Sequence, residues 1–113
     1  MHEFSIAMNI VDIATEYARK GEAESVKELE IEVGELAGIV MEALEFSLEA
    51  AVKGTILENA SRKIIRIKGV VRCTSCHHEY ETSDFFTACP KCGTGPPEII
   101  QGRELRVKSL LVD

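Results

Sequence analysis

The four cysteines of this chain form two CxxC pairs, Cys73 with Cys76 and Cys89 with Cys92, separated by residues 77–88. A CxxC turn lets two thiolates reach one metal ion at about 2.3 Å, so two such turns complete a tetrahedron of sulfur ligands. Redox proteins also use CxxC, but usually as a single pair, so two pairs favour structural zinc. Four thiolates leave no position on the metal for water or substrate, which predicts structural support rather than catalysis.

The residues that surround the cysteine pairs suit metal-binding turns. Gly93 follows the second pair and supplies the positive φ that such a turn needs. His77 takes the corresponding place after the first pair, and either His77 or His78 could approach the metal or tune the groups around it. Phe85 and Phe86 lie between the pairs and are predicted to supply the apolar contacts of this small module.

The amino terminus, Met1-His2-Glu3, offers a second and different set of metal ligands. The α-amine of Met1 and the amide and imidazole nitrogens of His2 can close two fused chelate rings in one plane. Planar nitrogen ligation favours Ni(II) or Cu(II) over zinc. The fourth planar donor is left open: it could be the amide of Glu3, the carboxylate of Glu3 or a group from elsewhere. Binding at an amine and an imidazole releases protons, so metal affinity should weaken as pH falls.

Size and composition predict a cytoplasmic protein that does not contact a membrane. The chain has 113 residues, of which 45% are hydrophobic and 28% charged, enough for one core and a small appendage. Residues 1–20 contain no basic segment followed by an apolar run, and no stretch approaches the roughly 18 apolar residues that span a bilayer. In a reducing cytosol, closely spaced cysteines favour metal ligation over disulfides.

The charge is distributed unevenly along the chain. Residues 1–58 contain 13 acidic and 4 basic side chains, whereas residues 59–113 contain 6 acidic and 9 basic ones. The acidic half argues against nucleic-acid binding, but the basic half leaves one alternative, a zinc-ribbon module that binds nucleic acid or regulates another protein. That alternative predicts steeply salt-dependent binding. No constellation of catalytic residues stands out, so an enzyme is not predicted.

Two segments have apolar residues at helical spacing and are predicted to be helices. We expect them to position the amino terminus and to form the first half of the core. The first runs from Ser5, a suitable N-cap, to Lys20, and Gly21 suits the left-handed residue that ends a helix. The second runs from about Val40 to Lys53. We expect their apolar faces to pack on a sheet.

Three segments are predicted to be β-strands. Residues 29–33 alternate strictly, which predicts three apolar side chains facing inward and two glutamates facing water. Residues 63–71 and 104–112 are rich in aliphatic residues and flank the cysteine region. The predicted fold class is therefore α+β: two helices packed on a small, mostly antiparallel three-stranded sheet, with an inserted zinc-ribbon-like module.

Four motifs follow one another along the chain: Met1-His2-Glu3, Val33-Gly34-Glu35-Leu36-Ala37-Gly38, the two CxxC pairs, and Gly102-Arg103-Glu104-Leu105. In this order they resemble the HypA/HybF family of hydrogenase-maturation nickel metallochaperones, and the resemblance covers essentially the whole chain. It implies a nickel-binding α/β domain formed by residues 1–71 and 103–113, and an inserted zinc-binding domain at residues 72–102.

The resemblance also implies roles for individual residues. His2 would be the essential nickel ligand, Met1 and Glu3 would complete that site, and the four cysteines would hold structural Zn2+, while Ni2+ is the transferred cargo. Some relatives have a histidine directly after the second CxxC where this chain has Gly93, which leaves only His77 and His78 for an exchange of zinc ligands.

The function implied by the resemblance is nickel delivery without enzymatic activity. The implied partners are a HypB-type GTPase and the large-subunit precursor of [NiFe]-hydrogenase, and some family members also serve urease. Whether the chain is a monomer or a dimer is left open.

Overall fold

A computed structural model describes residues 2–84, 87–93 and 95–112. Within them the elements are α1 (His2–Lys20), β1 (Val26–Gly34), α2 (Met41–Ala51), β2 (Ser61–Ile67), β3 (Val70–Cys73), β4 (Glu79–Glu81), β5 (Pro97–Gln101) and β6 (Leu105–Val112). The strands form two three-stranded sheets, in the orders β2-β1-β6 and β4-β3-β5. The predicted α+β class, with two helices, mostly antiparallel pairing and a zinc-ribbon-like cysteine site, is confirmed. Met1, Phe85 and Phe86 lie outside the described residues, so the roles predicted for them stay predictions.

Helix α1 begins at His2, three residues before the predicted start. Ser5 is therefore inside the helix, and its predicted role as the N-cap is wrong. Glu3 lies in the first turn, where a negative charge interacts favourably with the free N–H groups of the helix. The early start places His2 and Glu3 of the amino-terminal motif in regular secondary structure.

The end of α1 also differs from the prediction, because the left-handed residue is Glu22, with φ of 56°, and not Gly21. Gly21 directly follows the helix and donates to the carbonyl of Tyr17 at 3.2 Å. Helix α2 is followed by the left-handed Gly54, with φ of 78°. Neither helix of the described chain is long and apolar enough to cross a membrane.

Helices α1 and α2 pack together in a first compact unit, which comprises residues 1–32, 39–65 and 106–113. Leu29 and Ile31 of β1 are fully buried, as their alternation predicts. Met8 lies near the apolar positions of α1, which favours packing in the core, but it is 42% exposed. The other buried apolar residues of this unit are Ala7, Ile10, Val11, Ala14, Ala18, Val26, Leu44, Leu48, Ala51, Val52, Leu57 and Ala60.

The prediction that the β1 glutamates face water is wrong for Glu32, which is only 8% exposed. Arg106 of β6 pairs with Glu32, and Ser109 donates to Glu30 at 2.7 Å. The two contacts run in opposite directions along β1 and β6, so these strands are antiparallel. A neighbouring strand thus supplies the partner that a buried carboxylate needs.

A second compact unit comprises residues 33–38 and 66–105. The single strand predicted at residues 63–71 is two strands here, since β2 ends at Ile67 and β3 starts at Val70 in the other sheet. Between them Gly69 lies against the carbonyl of Thr82 and the side chain of Leu36, so closely that a Cβ would overlap both. Only a residue without a Cβ fits at this point between the two strands.

The segment Val33–Gly38 groups with the second unit through backbone hydrogen bonds. Leu36 donates to the carbonyl of Gly102 at 2.7 Å, and Glu35 donates to that of Ile67 at 2.9 Å. The predicted division into residues 1–71 with 103–113 and residues 72–102 was defined by the metal that each domain binds, and it stays a prediction.

Replacing Gly34 by Ala should destabilise the protein by about 2 kcal/mol or more. Gly34 donates to the carbonyl of Glu104 at 2.7 Å, and a Cβ on Gly34 would overlap the carbonyl of Gly102. Gly21→Ala is the matched control, because its nearest neighbour would be 3.7 Å from the new Cβ. Denaturant unfolding of both variants measures the difference, and equal stability would contradict the close backbone approach.

Candidate metal centre

The sulfur atoms of the four cysteines all lie within 4.8 Å of one another in the second unit. The Sγ atoms of Cys73 and Cys92 are 3.4 Å apart, and those of Cys76 and Cys89 are 3.6 Å apart. A tetrahedral site with metal–sulfur bonds of about 2.3 Å has sulfur–sulfur edges of about 3.8 Å. The arrangement therefore fits one metal ion held by four thiolates.

Two tight turns aim the sulfurs at this common point. In the first, His77 has a φ of 64° and donates its amide to the carbonyl of Cys73 at 2.9 Å. In the second, Gly93 has a φ of 80° and donates to the carbonyl of Cys89 at 2.8 Å. The positive φ predicted at both positions is confirmed. Cys73 and Cys89 are buried, whereas Cys92 is exposed.

Backbone amides also contact the sulfurs directly and change how readily the thiols lose their protons. The amides of Cys92 and Lys91 donate to Cys89 and, against its burial, lower the pKa of the Cys89 thiol. The amide of His78 donates to Cys76 and lowers its pKa, but burial and the neighbouring cysteines outweigh this and raise it to about 11. A metal that binds at neutral pH must displace the proton of Cys76, so metal affinity falls as pH falls.

The two histidines contact the cysteine turn through their backbones. The carbonyl of His78 accepts from the amide of Cys73 at 2.9 Å, and the imidazole of His78 stacks on Tyr80 with the ring centroids 6.0 Å apart. The side chain of His77 is exposed. Over the described ranges of the chain, the group of ligand atoms contains only the four cysteines. A direct role for either imidazole at the metal stays a prediction.

The contacts that Gly95 and Pro96 make with the first cysteine turn were not predicted from the sequence. Thr74 donates both its amide and its hydroxyl to the carbonyl of Pro96, at 3.0 and 2.9 Å. Gly95 lies so close to Cys73 that a Cβ at this position would overlap the sulfur. The sequence Gly95-Pro96-Pro97 was the available signal, because glycine and proline together mark a tight turn.

The structure describes less of the predicted amino-terminal site. Met1 lies outside the described residues, and of His2 only the backbone is described. As the first residue of α1, His2 has an N–H with no acceptor inside the helix. Glu3 is half-buried, and its Oε2 accepts from the amide of Val40 at 3.2 Å. The structure thus leaves the His2 nitrogen outside the helical hydrogen bonds and gives the Glu3 carboxylate a backbone partner.

A family model described as "Hydrogenase/urease nickel incorporation, metallochaperone, hypA" matches residues 1–112 of the chain. The chain is 43% identical over 114 residues to a hydrogenase maturation factor HypA of Parabacteroides distasonis, covering 99% of this chain and 97% of that protein. It is 36% identical to the HypA of Prosthecochloris aestuarii, with both chains covered completely.

The fold resembles a solution structure of the nickel metallochaperone HypA from Helicobacter pylori, with a TM-score of 0.69 at 22% identity. That match covers 97% of this chain and 96% of the other. A second HypA solution structure gives a TM-score of 0.71 at 23% identity, covering 100% of this chain and 97% of the other. At these identities, both comparisons show that the folds are similar and nothing more.

Gly95→Ala should weaken zinc binding, because the new Cβ would displace the sulfur of Cys73. Loss of one well-placed ligand should reduce zinc affinity at least about tenfold. Lys91→Ala serves as the control, since it removes an exposed side chain but keeps the amide that contacts Cys89. Competition with a chromophoric chelator measures both, and wild-type zinc retention by Gly95→Ala would contradict the described packing.

Proposed function

Because the chain belongs to the HypA family of hydrogenase and urease nickel-incorporation metallochaperones, we propose that it binds Ni2+ at its amino terminus and passes it to a metalloenzyme precursor. The proposed recipient is the large-subunit precursor of [NiFe]-hydrogenase, with urease as a second recipient. A HypB-type GTPase is the proposed partner in delivery, and the cytoplasm is the proposed location. The relatives' names, hydrogenase maturation factors, support the hydrogenase.

The proposed nickel site uses the nitrogen atoms of Met1 and His2. Where Met1 is the first residue of the mature chain, its α-amine, the His2 amide and the His2 imidazole form the planar chelate. The observation that carries this site is the start of α1 at His2. A backbone nitrogen that makes no helical hydrogen bond can be deprotonated by a metal without breaking the helix.

The four cysteines are proposed to hold structural Zn2+. Their sulfur spacing, 3.4 and 3.6 Å across two pairs, suits zinc–thiolate bonds. Zinc supplies a folding constraint there and no open coordination position. A metal ion bound so completely suits support, whereas cargo needs a site that can release it.

The alternative of a nucleic-acid-binding zinc ribbon gains no support from the basic residues of the second unit. Arg72 pairs with Glu79 at 2.8 Å and with Glu98 at 3.6 Å. Lys68 pairs with Glu81 at 3.4 Å. Arg72 faces carboxylates of its own sheet and Lys68 faces one on β4, so these two cations are not part of the unopposed positive stripe that phosphate binding requires.

His2→Ala should abolish the visible absorption band of planar nickel and weaken nickel binding by more than about tenfold, because it removes one chelate ring. A Gly-Ser extension before Met1 should have the same effect, because it converts the amine into an amide. Nickel titration of protein with a native, untagged terminus measures both.

His77→Ala is the matched control for the nickel titration, since His77 is exposed and belongs to the cysteine turn. It should keep the nickel band, and zinc content should be unchanged in His2→Ala and in the extended protein. A band of wild-type strength in His2→Ala would overturn the proposed nickel site.

A further inference from the structure

One hydrogen bond joins the first turn of α1 to the start of α2. The Oε2 atom of Glu3 accepts from the backbone amide of Val40 at 3.2 Å, across 37 positions of sequence. Glu3 is half-buried and Val40 is exposed, so this charge-assisted bond lies at the surface of the protein. Both residues belong to the first compact unit.

The local sequence of α2 explains why this helix needs a partner from outside. Val40 is the N-cap, with extended φ and ψ of −82° and 110°, and its side chain makes no capping hydrogen bond. In a capping box the N-cap amide is satisfied by a Glu or Gln three residues later. That position is Ala43 here, which carries no acceptor. The carboxylate of Glu3, which lies on α1, supplies the acceptor for the N-cap amide that the α2 sequence lacks.

The same bond restrains α1. The first turn of a helix frays readily, because its amides have no partners within the helix. Glu3 is the residue next to His2, so anchoring its side chain to α2 restrains the turn that carries His2. Pre-ordering ligands before a metal arrives reduces the entropy that binding must pay.

We propose that Glu3 is a positioning residue for nickel: its carboxylate caps α2 at Val40 and thereby holds the terminal chelate in place. This inference rests on the proposed nickel site. It assigns the Glu3 side chain a role different from direct ligation, since the carboxylate oxygen described here is given to a backbone amide. The two roles make opposite predictions for a change at Val40.

Val40→Pro removes the amide donor and leaves Glu3 untouched. Its backbone φ of −82° lies close to the value that proline fixes, and the replaced side chain is 61% exposed, so the core should not change. If Glu3 positions the site, Val40→Pro should weaken nickel binding about five- to tenfold. If the carboxylate is itself a ligand, releasing it from Val40 should leave nickel affinity unchanged or increase it.

Substitutions of Glu3 provide the second arm, with nickel titration as the measurement. Glu3→Ala should weaken binding about as much as Val40→Pro, and the double variant should be no weaker than either single one, because both remove the same bond. Glu3→Gln keeps an acceptor and should remain within about threefold of wild type. A ligating carboxylate would instead make Glu3→Gln as weak as Glu3→Ala.

Zinc content and far-UV circular dichroism of each variant report whether the chain is folded. If Val40→Pro is not folded, the comparison of Glu3→Gln with Glu3→Ala still decides. Wild-type affinity in Val40→Pro, or additive losses in the double variant, would overturn the positioning role. Absence of a His2-dependent nickel band in the wild-type protein is a separate result, because it would overturn the nickel site itself.

Discussion

The convergence of four sulfur atoms within 4.8 Å is the constraint on which the second unit depends. Among its described residues, the buried apolar side chains are few: Val33, Leu36, Val71, Cys73 and Cys89. Two of these five are cysteines of the candidate metal centre, so we expect a bound metal to take the place of much of an ordinary core. Small modules of this kind gain their folding free energy from the metal.

A site whose four positions are all filled by thiolates suits a structural metal and does not suit a metal that must be delivered. A metal enclosed by four thiolates exchanges its ligands reluctantly and cannot accept a substrate. The nickel cargo of this metallochaperone family therefore calls for a second site with exposed nitrogen donors. Helix α1 begins at His2, and the bond from Glu3 to Val40 ties its first turn to α2. We propose that nickel is bound and released there.

Local signals in the sequence predicted the local features of the structure. The alternation at residues 29–33 placed Leu29 and Ile31 in the core, and the position after each CxxC gave the positive φ at His77 and Gly93. The features that were missed depend on distant partners. Glu32 is buried and pairs with Arg106 of the neighbouring strand β6. The predicted strand at residues 63–71 is interrupted near Gly69, which contacts Leu36. The contact between Glu3 and Val40 likewise joins α1 to the start of α2, and the spacing of residues within either helix could not predict it.

We propose that one chain binds two metals in different ligand sets. X-ray absorption at the zinc and nickel edges of a single sample, loaded with one equivalent of each metal, tests this proposal. We expect a zinc edge with four sulfur neighbours at about 2.3 Å and a nickel edge with nitrogen and oxygen neighbours in a planar arrangement. Sulfur in the nickel shell, or nitrogen replacing sulfur around zinc, would contradict it.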